Sequence, residues 1–139
     1  MIAVRYYTRS GNTKKLASAV ARAVKVGEKT VMEDLPGKTD LLFLGCSVYA
    51  GRFHPAVGEF LVRNVEKIGT IVLFGTSASG QTVKKRMKKL LETTDVKVLD
   101  EEFSCPGRFL FLHKSRPDQD DLKAAAAFAK RVKETCGQG

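Results

Sequence analysis

The sequence predicts an α/β domain built on a five-stranded parallel sheet with helices on both faces. Three observations predict it. Short apolar runs alternate with segments whose apolar residues recur at helical spacing. Runs such as Leu41-Leu42-Phe43-Leu44 and Ile71-Val72-Leu73-Phe74 are continuous rather than alternating, as strands covered on both faces require. The 139 residues suit one core, and neither a linker nor a repeat interrupts them, so a single domain is expected over 1–139.

The elements follow in order. Residues 2–7 are the first strand, and apolar residues recurring at helical spacing through 14–26 mark a helix over 12–24. Residues 30–33 and 41–46 are the second and third strands. Only residues 34–40 separate them, with Pro36-Gly37 inside. A parallel crossover usually takes a dozen residues or more, so here the crossover helix must shrink to a turn or vanish. Pro55 opens a helix over 55–65, where proline suits the first turn. A fourth strand over 70–75, a helix over 81–92 and a fifth strand over 96–103 follow. Pro106-Gly107 marks a turn, and the apolar run 109–112 after it extends the sheet or covers its edge. The last helix, 118–135, begins with Asp118, Asp120 and Asp121, acids that suit a helix N-terminus. Its inner stripe is Leu122, Ala125, Ala126, Ala129 and Val132.

Composition narrows the function classes. No apolar run approaches the roughly 20 residues that span a bilayer, and residues 1–5 are no secretory leader, so membrane insertion is not expected and a cytoplasmic location is. Cys46, Cys105 and Cys136 form no C-x-x-C, and His54 and His113 add no ligand spacing, so no metal site is expected. Ser47 and Ser79 lack a G-x-S-x-G setting, which argues against nucleophilic hydrolysis. Cys46, where the third strand meets its loop, reads as a small buried hydrophobe. A phosphoacceptor would need acids at the strand ends, whereas the first strand ends in Tyr7-Thr8-Arg9.

The net charge of +9 is concentrated in residues 84–89, with Lys14, Lys15, Arg22 and Lys25 on the first helix. Val83, Met87, Leu90 and Leu91 interrupt the run at helical spacing, so one reading is a solvated helix face. An acidic redox partner is the functional reading. No aromatic residues interleave with the cluster, so single-strand nucleic acid is poorly supported, and a basic nucleic-acid-binding module rests on charge alone.

Three strand ends carry loops of small and hydroxyl residues. The first holds Thr8, Arg9, Ser10, Gly11, Asn12 and Thr13. A helix start has unpaired N–H groups and partial positive charge, and Gly11 lets backbone approach an anion. The competing reading is an ordinary capped helix. The second holds Ser47, Val48, Tyr49, Ala50 and Gly51, followed by Arg52, Phe53 and His54. Tyr49 is placed to stack on a flat ligand; otherwise Tyr49 and Phe53 are half-buried loop aromatics. The third holds Ser77, Ala78, Ser79 and Gly80. A doubly wound sheet brings such loops to its carboxyl edge, where ligands bind.

T-x-S-G-N-T after a first strand resembles the FMN-phosphate loop of the flavodoxin family, and the other two loops resemble the segments that flank the flavin ring. The resemblance covers most of the chain and implies a compact, short-chain member. It implies a flavodoxin-like three-layer sandwich of strand order 2-1-3-4-5, noncovalent FMN, and electron transfer between redox protein partners. By position, the first loop would hold phosphate, the second would contact ribityl and ring, and the third would line the other side. The chain departs from the family in being basic and in lacking an aromatic at 76–80. G-C-S-V-Y-A-G-R-F-H-P-A-V also resembles the quinone-dependent protoporphyrinogen oxidases of this superfamily, although no long insertion precedes the final helix. Arg52, His54 and Arg108 could meet an acidic substrate in that reading. A small flavodoxin-like activator of ribonucleotide reductase is a further resemblance.

Overall fold

A computed structural model describes residues 1–8, 11–48, 53–77, 84–105 and 118–136. Strands and helices alternate as β1 (Ile2–Tyr6), α1 (Asn12–Ala23), β2 (Glu28–Thr30), β3 (Thr39–Val48), α2 (Pro55–Asn64), β4 (Ile68–Ser77), α3 (Lys84–Leu90), β5 (Lys97–Cys105) and α4 (Gln119–Cys136). A single 3-10 turn, Val65–Lys67, links α2 to β4. The strands pair in parallel throughout, in the order β2-β1-β3-β4-β5. This is the expected three-layer α/β sandwich.

Side-chain alternation along the central strands divides the core in two. Leu41 and Phe43 of β3 and Val72 and Phe74 of β4 face α1 and α4, meeting Leu16, Val20, Ala125, Phe128 and Val132. Leu42, Leu44, Ile71 and Leu73 face the other way, meeting Val57, Phe60 and Leu61 of α2 and Met87 of α3. Burying both faces explains the continuous apolar runs of these strands.

Helix ends follow local chemistry. α1 closes in a Schellman motif: Lys25 N–H donates to the Arg22 carbonyl (3.3 Å), and Val26 N–H to the Ala21 carbonyl (3.0 Å). Lys25 takes the left-handed conformation (φ 61°) that this motif requires. At α4, Asp118 N–H donates to Asp121 Oδ2 (2.9 Å) and Asp121 N–H to Asp118 Oδ1 (3.0 Å), a reciprocal cap built by the expected acids. The inner stripe of α4 includes buried Phe128, while Leu122 and Ala126 are only half-buried. Leu90, expected on an inner face, is 47% exposed, and Met87 alone anchors α3.

The short crossover contains no helix. Residues 31–38 form turns and bends; cations hold their carbonyls, and an amide holds the Leu35 N–H and the Asp34 carboxylate. Arg5 of β1, 4% exposed, donates through Nε to the Glu33 carbonyl (3.0 Å) and through Nη2 to the Asp34 carbonyl (3.1 Å). Burial lowers the Arg5 pKa, opposed by Glu33 and Asp34. Arg63 Nη2 donates to the Val31 carbonyl (3.0 Å), and Lys67 Nζ to the Leu35 carbonyl (2.9 Å). Asn64 Oδ1 accepts from Leu35 N–H (2.9 Å), while its Nδ2 donates to the Phe60 carbonyl (2.9 Å) and Asp34 Oδ1 (3.2 Å). Hydrogen bonds from Arg63 and then Asn64 hold the Asp34 carboxyl below its ordinary value. This network also explains why β2 is three residues long and ends at Thr30, short of the expected 30–33. β2 instead starts at Glu28, and Val31 N–H still donates to the Tyr6 carbonyl (3.0 Å) while its side chain packs in the α2 core.

Asn64 is 1% exposed and is the keystone of the turn. Asn64→Ala should cost about 2 kcal/mol, because Leu35 N–H loses its partner in a buried setting. Urea unfolding checks this; a change within about 0.5 kcal/mol, as at an ordinary surface site, would contradict it.

Candidate functional site

The point where strand order reverses lies between the parallel strands β1 and β3, from which the chain goes on to opposite edges of the sheet. Register brings the carboxyl ends together. Tyr6 lies beside Gly45, Ser47 beside Thr76, and Val48 beside Ser77. The three loops singled out in the sequence therefore leave from neighbouring strands.

The first loop is shaped by Gly11, whose φ of 85° is left-handed. Gly11 N–H donates to Thr8 Oγ1 (2.9 Å), leaving the Thr8 hydroxyl hydrogen free to donate. Gly11 is the N-cap of α1 and has no side chain to cap it; among the described residues none does so, and no acid lies in its first turn. By contrast, His54 caps α2, and the two aspartates cap α4. Asn12 is 5% exposed, yet its side chain has no hydrogen-bond partner among the described residues. Buried polar groups are normally paired, and a helix start whose N-cap is a glycine keeps backbone N–H groups that can meet an anion. Thr13 is fully buried. Its methyl carbon and the Phe74 ring occupy the space beside Gly45, where a Cβ would come within 3.1 Å of Thr13 Cγ2 and 2.6 Å of the ring. The glycine thereby seats the first turn of α1 on the sheet. Arg9 and Ser10 lie outside the described residues.

The second loop leaves β3 at Ser47 and Val48, whose backbone is paired with β4. Tyr49, Ala50, Gly51 and Arg52 lie outside the described residues. Its far end is fixed by His54, which does two jobs. His54 Nδ1 accepts from Ala56 N–H (3.0 Å), capping α2. Its ring stacks on Tyr7, with centroids 4.1 Å apart and planes 15° apart. Tyr7 N–H in turn donates to the Gly45 carbonyl (3.0 Å), extending β1 along β3. This Tyr7–His54 clamp was not foreseen; the sequence signal available was a polar ring just before Pro55, at a capping position. A histidine committed to a cap and a stack is a poorer candidate for meeting an acidic substrate.

The third loop leaves β4 at Ser77, and Ala78, Ser79 and Gly80 lie outside the described residues. Gly75, two residues earlier, allows a close approach: a Cβ there would overlap the Cys46 carbonyl of β3. Cys46 itself is 2% exposed, and burial pushes its thiol up to about 12, so it stays protonated. It packs in the α2 core as a small hydrophobe. Among the described residues, no group of three or more His, Cys, Asp or Glu could hold a metal ion. None of their helices is long and apolar enough to cross a membrane.

This arrangement has counterparts among known proteins. The sequence profile described as a flavodoxin domain matches residues 3–108. An uncharacterised protein of Methanocaldococcus jannaschii is 25% identical over 135 residues, spanning 87% of this chain and 89% of its own. A flavodoxin from the domain Archaea superposes with a TM-score of 0.75 at 16% identity, covering 99% of each chain. The rubredoxin:oxygen oxidoreductase of Desulfovibrio gigas superposes with a TM-score of 0.72 at 13% identity, covering 99% of this chain and 36% of that one. At these identities the structural likeness establishes the fold.

Proposed function

Since this chain belongs to the flavodoxin-domain family, we propose that residues 1–139 form one unit that binds FMN noncovalently and carries electrons between redox proteins. The carrying observation is the buried Asn12 amide, without a described partner, at the uncapped start of α1. Thr8, Arg9, Ser10, Gly11, Asn12 and Thr13 would hold the phosphate, by backbone N–H groups, hydroxyls, the Asn12 amide and the Arg9 charge. Ser47, Val48, Tyr49, Ala50 and Gly51 would contact ribityl and ring, and Ser77, Ala78, Ser79 and Gly80 the opposite side. Bound flavin would supply the redox chemistry, and the chain the orientation and electrostatics. The Tyr7–His54 clamp would hold the end of the ring loop against β1.

The direct experiment is the visible absorption spectrum of the purified protein, before and after adding FMN. The proposal expects an oxidised-flavin spectrum at one flavin per chain. Protein that stays colourless after incubation with FMN would refute it. Turnover of a porphyrinogen with a quinone would replace the carrier reading by the oxidase reading.

Its partner is proposed to present an acidic face to α3. Lys88 forms an ion pair with Asp100, and Lys84 Nζ donates to the Asp100 carbonyl (3.0 Å). Lys85, Arg86 and Lys89 form no ion pair with a described residue. Lys85→Glu with Lys89→Glu should slow electron transfer to a true partner about tenfold at low salt and flatten its salt dependence. Unchanged rates at low salt would move the docking face elsewhere.

A further inference from the structure

A groove of about 420 Å³ runs between α1 and α4, on the face of the sheet opposite α3. Its cations are Lys15 and Arg22 on α1, and Lys123 and Lys130 on α4. All four are exposed, none forms an ion pair with a described residue, and no acid lines the groove among the described residues. Its floor is apolar and half-buried, made by Ala19, Ala23, Leu122 and Ala126. Ser18 donates to Glu28 of β2 (2.9 Å), the one carboxylate among the described residues bonded to a lining residue.

The spacing is regular. Lys15 and Arg22 are two turns apart on α1, as are Lys123 and Lys130 on α4, about 10 Å along each axis. Two rows of positive charge thus flank a seam of small apolar side chains. That is the complement of a helix with an apolar seam flanked by carboxylates repeating every two turns, the charge logic of a coiled-coil third strand.

We propose that the α1–α4 groove docks an acidic amphipathic helix of a partner protein. Small phosphorylated ligands fit it less well, because the cations of each row stand about 10 Å apart beside an apolar floor rather than converging on one point. Nucleic acid fits less well because the floor is apolar and no aromatic side chain lines it. The chain's own residues 106–117 are not the complement either: they carry Arg108, Lys114 and Arg116 and no acid. Docking of this kind is independent of the flavin proposal. It rests on α1 and α4, although Lys15 lies within the first turn of α1 and places one end of the groove close to Gly11.

The test uses the full chain and a synthetic helical peptide about three heptads long, with an alanine–leucine seam flanked by glutamates. Backbone amide shifts should map binding to residues 15–23 and 119–130. Lys15→Glu with Lys130→Glu should weaken the peptide about tenfold or more. Ala126→Gln, which fills the floor without changing charge, should also weaken it, while Lys85→Glu with Lys89→Glu should not. Ala19→Gln, on the α1 side of the floor and also charge-neutral, gives the same reading should Ala126→Gln unfold the protein. Equal weakening by the α3 pair would reduce the effect to net charge and overturn the proposal. So would an absence of peptide binding, or groove shifts produced by a single-stranded oligonucleotide or anionic vesicles in place of the peptide.

Discussion

A protein carrying Ser10→Ala and Thr13→Val is expected to bind FMN about 100-fold more weakly, since each lost charge-assisted hydrogen bond is worth roughly 1.5 kcal/mol or more. Riboflavin, which has no phosphate, should be held almost as well as by the unaltered chain. Valine is chosen at position 13 because the threonine methyl packs beside Gly45 and Phe74. Alanine there would open a cavity and mix a packing loss with the loss of the hydroxyl. Parallel flavin-fluorescence titrations check the result, with unfolding of the flavin-free protein as control. Equal losses for the two flavins would remove the phosphate assignment and leave this loop as an ordinary helix start.

The largest stability effect is expected at Gly75. A Cβ there would overlap the Cys46 carbonyl, which is backbone in the paired neighbouring strand and cannot swing aside. Gly75→Ala must separate β3 from β4 or tilt the peptide, costing about 3 kcal/mol, the upper range for overpacking. That corresponds to a fall of roughly 10 °C in Tm for a domain of this size. The strain sits where β3 and β4 deliver the second and third loops, so flavin affinity should fall as well. Thermal unfolding with and without FMN measures both. A Tm within about 1 °C of the unaltered protein would mean that the strand pair has slack there.

Most of the sheet was legible because its central strands are buried on both faces, and continuous apolar runs have few other interpretations. The edge was less legible. β2 has exposed Lys29 and Thr30, and its end is set by Arg5, Arg63 and Asn64, residues far away in sequence. The missing crossover helix was foreseen from length alone, but not the side chains that replace it. In α4 the alanines were read as the inner stripe while Phe128 supplies the bulk, since an alanine-rich helix has several faces that look alike. At the α1 loop, the helix start and the left-handed Gly11 were legible from the sequence, while the phosphate contacts assigned to Thr8, Arg9, Ser10, Gly11, Asn12 and Thr13 stand as proposals. The Tyr7–His54 clamp was not legible, because a stack between two loops leaves no periodic trace. The contacts assigned to Tyr49, Ala50, Gly51, Ala78, Ser79 and Gly80 lie outside the described residues and stand as proposals.

The central claim is that the uncapped start of α1 receives the phosphate of FMN. The most direct measurement is the dissociation constant of the unaltered, flavin-free protein for FMN and for riboflavin under the same conditions. The account predicts one FMN per chain, bound about 100-fold or more tightly than riboflavin, the difference being the phosphate's charge-assisted hydrogen bonds. Equal affinities, or no binding of either flavin, would contradict it.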